Sequence, residues 1–119
     1  MPSLTRVAPE LPVRDLAEAL AHYESRLGFA VAMRMPAGDY AIVERDGVAL
    51  HLYQVADESP TPASAHIFAT ELDDLFAELE SRGANIVQGI VSQPWGNRDF
   101  RLVDTAGNEL KFTEPRSEG

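Results

Sequence analysis

Two histidines sit on β-rich runs of this chain where they could carry chemistry. Alternation along 48–54 turns Val48, Leu50 and Leu52 to one side and Ala49, His51 and Tyr53 to the other. Along 65–69 it sets Ala65, Ile67 and Ala69 against His66 and Phe68. The two imidazoles are therefore expected to look into the same space. Neutral imidazole is a ligand for zinc, iron and nickel, and a catalytic metal site adds a third protein ligand, often a carboxylate. Glu10 and Glu109 are the nearest candidates by strand position. Histidines without motif spacing are more often packed or hydrogen-bonded than ligating, so the reading adopted has no metal and no cofactor. The third histidine, His22, falls on the polar side of a helical stretch and is expected at the surface.

The segment Gln93-Pro94-Trp95-Gly96-Asn97-Arg98-Asp99-Phe100 holds the single tryptophan, between a proline and a glycine, in a loop leading into a strand. A flat ring on restricted backbone there is either a stacking platform for a planar or cationic ligand or a lid over the end of the core. Tyr40, Tyr53, Phe68 and Met33 extend the same apolar wall or belong to ordinary core. No phosphate loop, nucleophile elbow or metalloprotease helix occurs, and Ser25, Ser64, Ser81 and Ser92 lie in no nucleophile motif. Nothing in the chain demands covalent catalysis.

The elements that must position these residues come in two similar sets. Asp15-Leu16-Ala17-Glu18 has capping-box spacing, and Leu16, Leu20, Tyr23 and Leu27 follow at helical intervals before Gly28, which predicts a helix from Asp15 to Leu27. Strands are predicted over 29–35, 40–45 and 48–54, the last two joined at Asp46-Gly47. Thr5 to Pro12, with Pro9 and Pro12, suits an edge strand or an exchanged arm. After a Pro60- and Pro62-containing linker at about 57–64 the pattern restarts with a strand over 65–70. A helix capped by Asp73 or Asp74 then carries Leu75, Phe76 and Leu79 to Gly83, and strands follow over 85–91, 98–104 and 109–113. The expected architecture is α+β: two βαβββ modules, at about 1–56 and 65–115 of a single domain, forming curved antiparallel sheets around a cavity. Ser25-Arg26-Leu27-Gly28-Phe29 and Glu80-Ser81-Arg82-Gly83-Ala84 occupy matching places, which points to an old duplication.

Length and charge narrow the partners. A chain of 119 residues with 45% hydrophobic side chains buries one modest core, so a large binding site must lie between subunits or half-domains. The lack of cysteine excludes disulfides, thiolate zinc sites and a cysteine nucleophile, and fits a reducing cytoplasm. No run approaches a membrane span and no targeting segment opens the chain. A formal charge of -9 disfavours nucleic acid and anionic lipid and favours cations, although much of it serves solubility.

Leu11-Pro12-Val13-Arg14-Asp15-Leu16, Tyr23-Glu24-Ser25-Arg26-Leu27-Gly28-Phe29, Gln93-Pro94-Trp95-Gly96 and Asp104-Thr105-Ala106-Gly107-Asn108, in this order, resemble the bleomycin resistance proteins of the glyoxalase-like, vicinal oxygen chelate superfamily. The resemblance implies a homodimer with exchanged N-terminal arms that include Pro9, and two interface clefts that sequester a cationic bleomycin-family drug without altering it. It implies that Trp95 stacks on the drug, with Tyr40, Met33 and Tyr53 on the cleft wall, and that His66 replaces a wall tryptophan. The superfamily's enzymes place four metal ligands, two per module; here Ala8, His51, Lys111 and, with a one-residue shift, His66 fall there. Alanine has no donor atom and a lysine ammonium repels a cation. The alternative, a metal-dependent glyoxalase- or dioxygenase-like enzyme acting on a small oxygenated substrate, would have to rebuild its site from His51, His66 and Glu10.

Overall fold

The computed structural model describes residues 1–57 and 59–116. Residue 58, in the expected linker, lies outside the described residues. The elements run β1 (Glu10–Val13), α1 (Leu16–Leu27), β2 (Ala30–Arg34), β3 (Tyr40–Arg45), β4 (Val48–Gln54), β5 (Ser64–Phe68), α2 (Leu72–Ser81), β6 (Asn85–Ser92), β7 (Arg98–Val103) and β8 (Glu109–Glu114).

Local chemistry accounts for most of these bounds. The Asp15 side chain accepts from the Glu18 amide at 3.0 Å, and Gly28 closes α1 with φ 73 in the left-handed region. Asp46 and Gly47, with φ 52 and 81, make the tight β3–β4 turn. The second helix departs from expectation. Its N-cap is Glu71, in the left-handed region and without a side-chain cap bond, whereas Asp73 is drawn to Arg98 at 2.8 Å. An ion pair to the neighbouring strand outcompetes local capping there. His22 is also not a free surface group: it is half-buried beside Tyr23, and burial lowers its pKa.

Each half forms one four-stranded sheet, in the order β1-β4-β3-β2 and β5-β8-β7-β6. Three strands of each are antiparallel, but the first strand joins the last in parallel, Leu11 opposite Leu52 and Ala65 opposite Leu110. The sheets are therefore mixed rather than purely antiparallel, because the helix and two strands between β1 and β4 act as a crossover that brings the chain back in the same direction. Leu11, Val13, Leu50 and Leu52 of the first sheet and Leu102, Leu110 and Phe112 of the second face α1 and α2 and form the core with Leu16, Leu20, Leu72 and Leu79. The molecule is a slab 24 Å in its short dimension, which fits one sheet layer and one helix layer; no closed barrel forms.

The halves are fastened at a seam. The buried Tyr23 hydroxyl of α1 donates to Asp104 Oδ2 beyond β7 at 2.8 Å. Asn108 Nδ2 donates to that same oxygen at 2.9 Å and to the Pro12 carbonyl at 2.8 Å. In mirror fashion Glu78 of α2 accepts from both terminal nitrogens of Arg45, at 2.6 and 3.0 Å, at the end of β3. The repeated phrase noted in the sequence lies here. Arg26 donates to the carbonyls of Arg82 and Gly83, and Arg82 donates to that of Ser25, so each arginine meets the carbonyl end of the other helix.

Residues 1–9 form no strand, and Met1, Leu4 and Val7 are fully exposed. Among the described residues no helix is long and apolar enough to cross a membrane.

Candidate functional site

Helices cover one face of each sheet and leave the other open. On the first sheet, strand register sets Met33, Ile42, His51 and Glu10 in one row across β2, β3, β4 and β1, with Tyr40 opposite Tyr53 in the next. The Tyr40 hydroxyl donates to Glu10 Oε2 at 3.0 Å and lies 2.6 Å from His51 Nδ1. Burial, the bond to Glu10 and that carboxylate's charge together push the Tyr40 phenol above its ordinary value, so it stays protonated at neutral pH.

The open face of the second sheet is more polar. His66 lies opposite Lys111, and Lys111 opposite Arg101. His66 Nε2 is 2.7 Å from Thr113 Oγ1, and its ring stacks on Phe68 with centroids 4.5 Å apart. Arg101 pairs with Glu109 at 2.9 Å. Asp99, buried in the middle of this face, accepts from Gln88 Nε2 and Gln93 Nε2, each at 2.8 Å. Burial raises the Asp99 carboxyl, but the amides of Gln93 and Gln88, with Lys111 and Arg101 nearby, more than offset it and hold it below its ordinary value.

Gln93 also starts the turn that presents Trp95. Its carbonyl accepts from the Gly96 amide at 2.9 Å and its amide donates to Asn97 at 2.7 Å. Trp95 is 60% exposed at the tip, so within one subunit it is no lid over the core. Asp99 thus ties the tryptophan turn to the open face through Gln93.

Of the residues singled out in the sequence, Met33, Tyr40, His51 and Tyr53 share the first sheet, His66 and Phe68 share the second, and Trp95 stands off its end. The two histidines lie on separate sheets, and among the described residues no three of His, Asp and Glu come together as metal ligands. Within a subunit the donor set Glu10, His51 and His66 does not fit a metal, and Lys111 beside His66 adds a positive charge where a cation would bind. A cavity of about 560 Å³ lies elsewhere: it opens at the seam by Leu27, Arg45, Leu75 and Glu78, and Phe68 alone of the predicted residues borders it.

The reasoning from sequence missed Gln88, Gln93 and Asp99 as a unit. Two register shifts in β6, between Ile86 and Gln88 and between Gln88 and Val91, break the alternation that would have put Gln88 on Asp99's side. It also missed the link from Tyr40 to Glu10, for which strand alternation alone carried no signal.

Two βαβββ modules, each a four-stranded sheet with one helix-covered and one open face, define the glyoxalase/bleomycin resistance fold class. The chain belongs to the Glyoxalase/Bleomycin resistance protein/Dioxygenase superfamily, whose profile matches residues 3–112. It is similar in fold to a bleomycin resistance determinant encoded on the transposon Tn5, with TM-score 0.83, 24% identity and 96% and 100% of the two chains covered. A bleomycin-binding protein complexed with bleomycin matches with TM-score 0.81, 24% identity and coverage of 95% and 100%. A lactoylglutathione lyase from Agrobacterium tumefaciens matches with TM-score 0.76, 18% identity and 96% of both chains covered. At these identities the likeness establishes the fold. No curated protein matches the chain.

Proposed function

We propose that this is a non-catalytic, antibiotic-resistance-type binding protein, a cytoplasmic homodimer whose single-domain subunits sequester bleomycin-like cationic drugs in interface clefts. The observation that carries the reading is the open face of each sheet: one chain closes no barrel, yet it offers Trp95 on a turn braced by a buried carboxylate. A drug-sized ligand needs most of its surface covered, which a second subunit supplies. The fully exposed apolar Met1, Leu4 and Val7 favour an N-terminal arm that crosses to the partner. In this reading Trp95 stacks on the ligand, Met33, Tyr40, Tyr53 and Phe68 form the wall, and His51 and His66 supply polar contacts. The net charge of -9 speeds encounter with a cation.

The test is a titration with metal-free bleomycin in a chelator, following emission of the single tryptophan and stoichiometry by calorimetry. One drug per subunit is expected, and Trp95→Ala should weaken binding by roughly 1 to 3 kcal/mol. Unchanged affinity in a folded Trp95→Ala protein removes the stacking role. The metal-dependent lyase or dioxygenase alternative predicts a stoichiometric transition metal in the purified protein, lost on changing His51 and His66.

A further inference from the structure

His51 is held unlike the other two histidines. Tyr40 has one hydroxyl proton, Glu10 as a carboxylate has none, and the phenol oxygen is 3.0 Å from Glu10 Oε2 and 2.6 Å from His51 Nδ1. Both contacts are hydrogen bonds only if the phenol proton points to Glu10 and the imidazole donates from Nδ1. The reverse assignment sets the phenol and carboxylate oxygens 3.0 Å apart with no proton between them. Neutral His51 then carries its proton on Nδ1, and Nε2 is a bare lone pair. No hydrogen bond among the described residues engages that nitrogen, and His51 lies in the open-face row beside Ile42 and Met33. In His66 the same nitrogen is taken by Thr113, and in His22 it is buried.

We propose that Glu10 and Tyr40 lock His51 as the Nδ1–H tautomer, which makes Nε2 the acceptor through which the first sheet engages a ligand N–H donor, an ammonium or amide group. The ligand role rests on the reading of this face as a binding surface; the tautomer does not. While the imidazole is neutral, an N–H donor is preferred there over a group that offers only lone pairs, because lone pair would otherwise meet lone pair. Tyr40 thereby positions His51 in addition to contributing its ring to the wall.

The test uses the full chain labelled with 15N-histidine and long-range proton–nitrogen spectra near neutral pH. Wild-type His51 is expected with a protonated Nδ1 and an unprotonated Nε2, and Tyr40→Phe should move it toward the Nε2–H form. Glu10→Ala, at an exposed position, should do the same by releasing the phenol proton toward Nδ1. An Nε2–H tautomer in the wild type, or a tautomer that neither variant moves, overturns the lock. Diethyl pyrocarbonate should modify His51 several-fold faster than His22 or His66, and equal rates would contradict an open Nε2. Metal-free bleomycin separates this inference from the sequestration reading. If the drug quenches Trp95 but leaves His51 Nε2 unshifted, the acceptor role fails and sequestration stands. If the drug does not bind, sequestration fails and the wild-type tautomer alone decides the lock.

Discussion

Tyr23→Phe isolates one bond of the seam. The ring is fully buried and makes an edge contact with Phe29, centroids 5.8 Å apart, which phenylalanine preserves. What is lost is the 2.8 Å hydrogen bond from the hydroxyl to the Asp104 carboxylate. Bonds to charged groups contribute about 1.5–3 kcal/mol. Asp104 keeps three other donors, the amides of Ala106 and Asn108 and the Asn108 side chain, so the lower half of that range applies. A loss of about 2 kcal/mol lowers the melting temperature of a domain this size by roughly 5–10 °C, read by circular dichroism. The variant also predicts a change at high pH. Burial, the charge of Asp104 and the hydrogen bond raise the folded Tyr23 pKa well above its ordinary value. This contribution is therefore complete below about pH 10, where an unfolded tyrosine titrates, and is lost as pH rises toward the folded value. The wild type should lose stability there and the variant should lose less. Equal melting points, together with parallel alkaline profiles, would refute the assignment of Tyr23 as a seam bond.

Three further outcomes are expected. A double-mutant cycle between Arg45 and Glu78 should give a coupling of about 1 kcal/mol that shrinks in high salt, because the pair is half-exposed; a salt-independent coupling would place its energy elsewhere. The folded Asp99 pKa is lowered, so its contribution is present above about pH 4 and lost as pH falls through the folded value; Trp95 emission should change in that window in the wild type but not in Asp99→Asn. Under the proposed homodimer reading, the full chain should scatter light as a dimer, and removal of residues 1–8 should shift it toward monomer while the thermal transition of the core remains. A monomeric full chain would overturn the dimer, and an unaltered dimer would exclude the arm from its interface.

Much of the fold was legible because its signals are local. Asp15 and Gly28 bound α1, Asp46-Gly47 sets the turn, and strands 40–45 and 48–54 emerge at their predicted limits. The errors come where distant residues win. Asp73 leaves its cap for Arg98, and parallel β1–β4 pairing depends on a crossover that alternation does not encode. The site was partly legible for the same reason. Alternation put His51 and Tyr53 on the open face, but only the folded register brings Glu10 opposite His51 and Tyr40 between them. The Asp104-Thr105-Ala106-Gly107-Asn108 turn, quoted for its resemblance, is a fastening: it grips Tyr23, Pro12 and the Ala63 amide.

The two fastenings of the seam occupy equivalent places, Tyr23 five residues before Gly28 and Glu78 five before Gly83, yet they are made of different chemistry. One is a buried phenol on a carboxylate and the other a half-exposed ion pair. Alkali loosens the first and added electrolyte the second. The two clasps of one seam thus answer to different media, one to pH and the other to ionic strength. The electrolyte-sensitive side is the one that borders the 560 Å³ cavity.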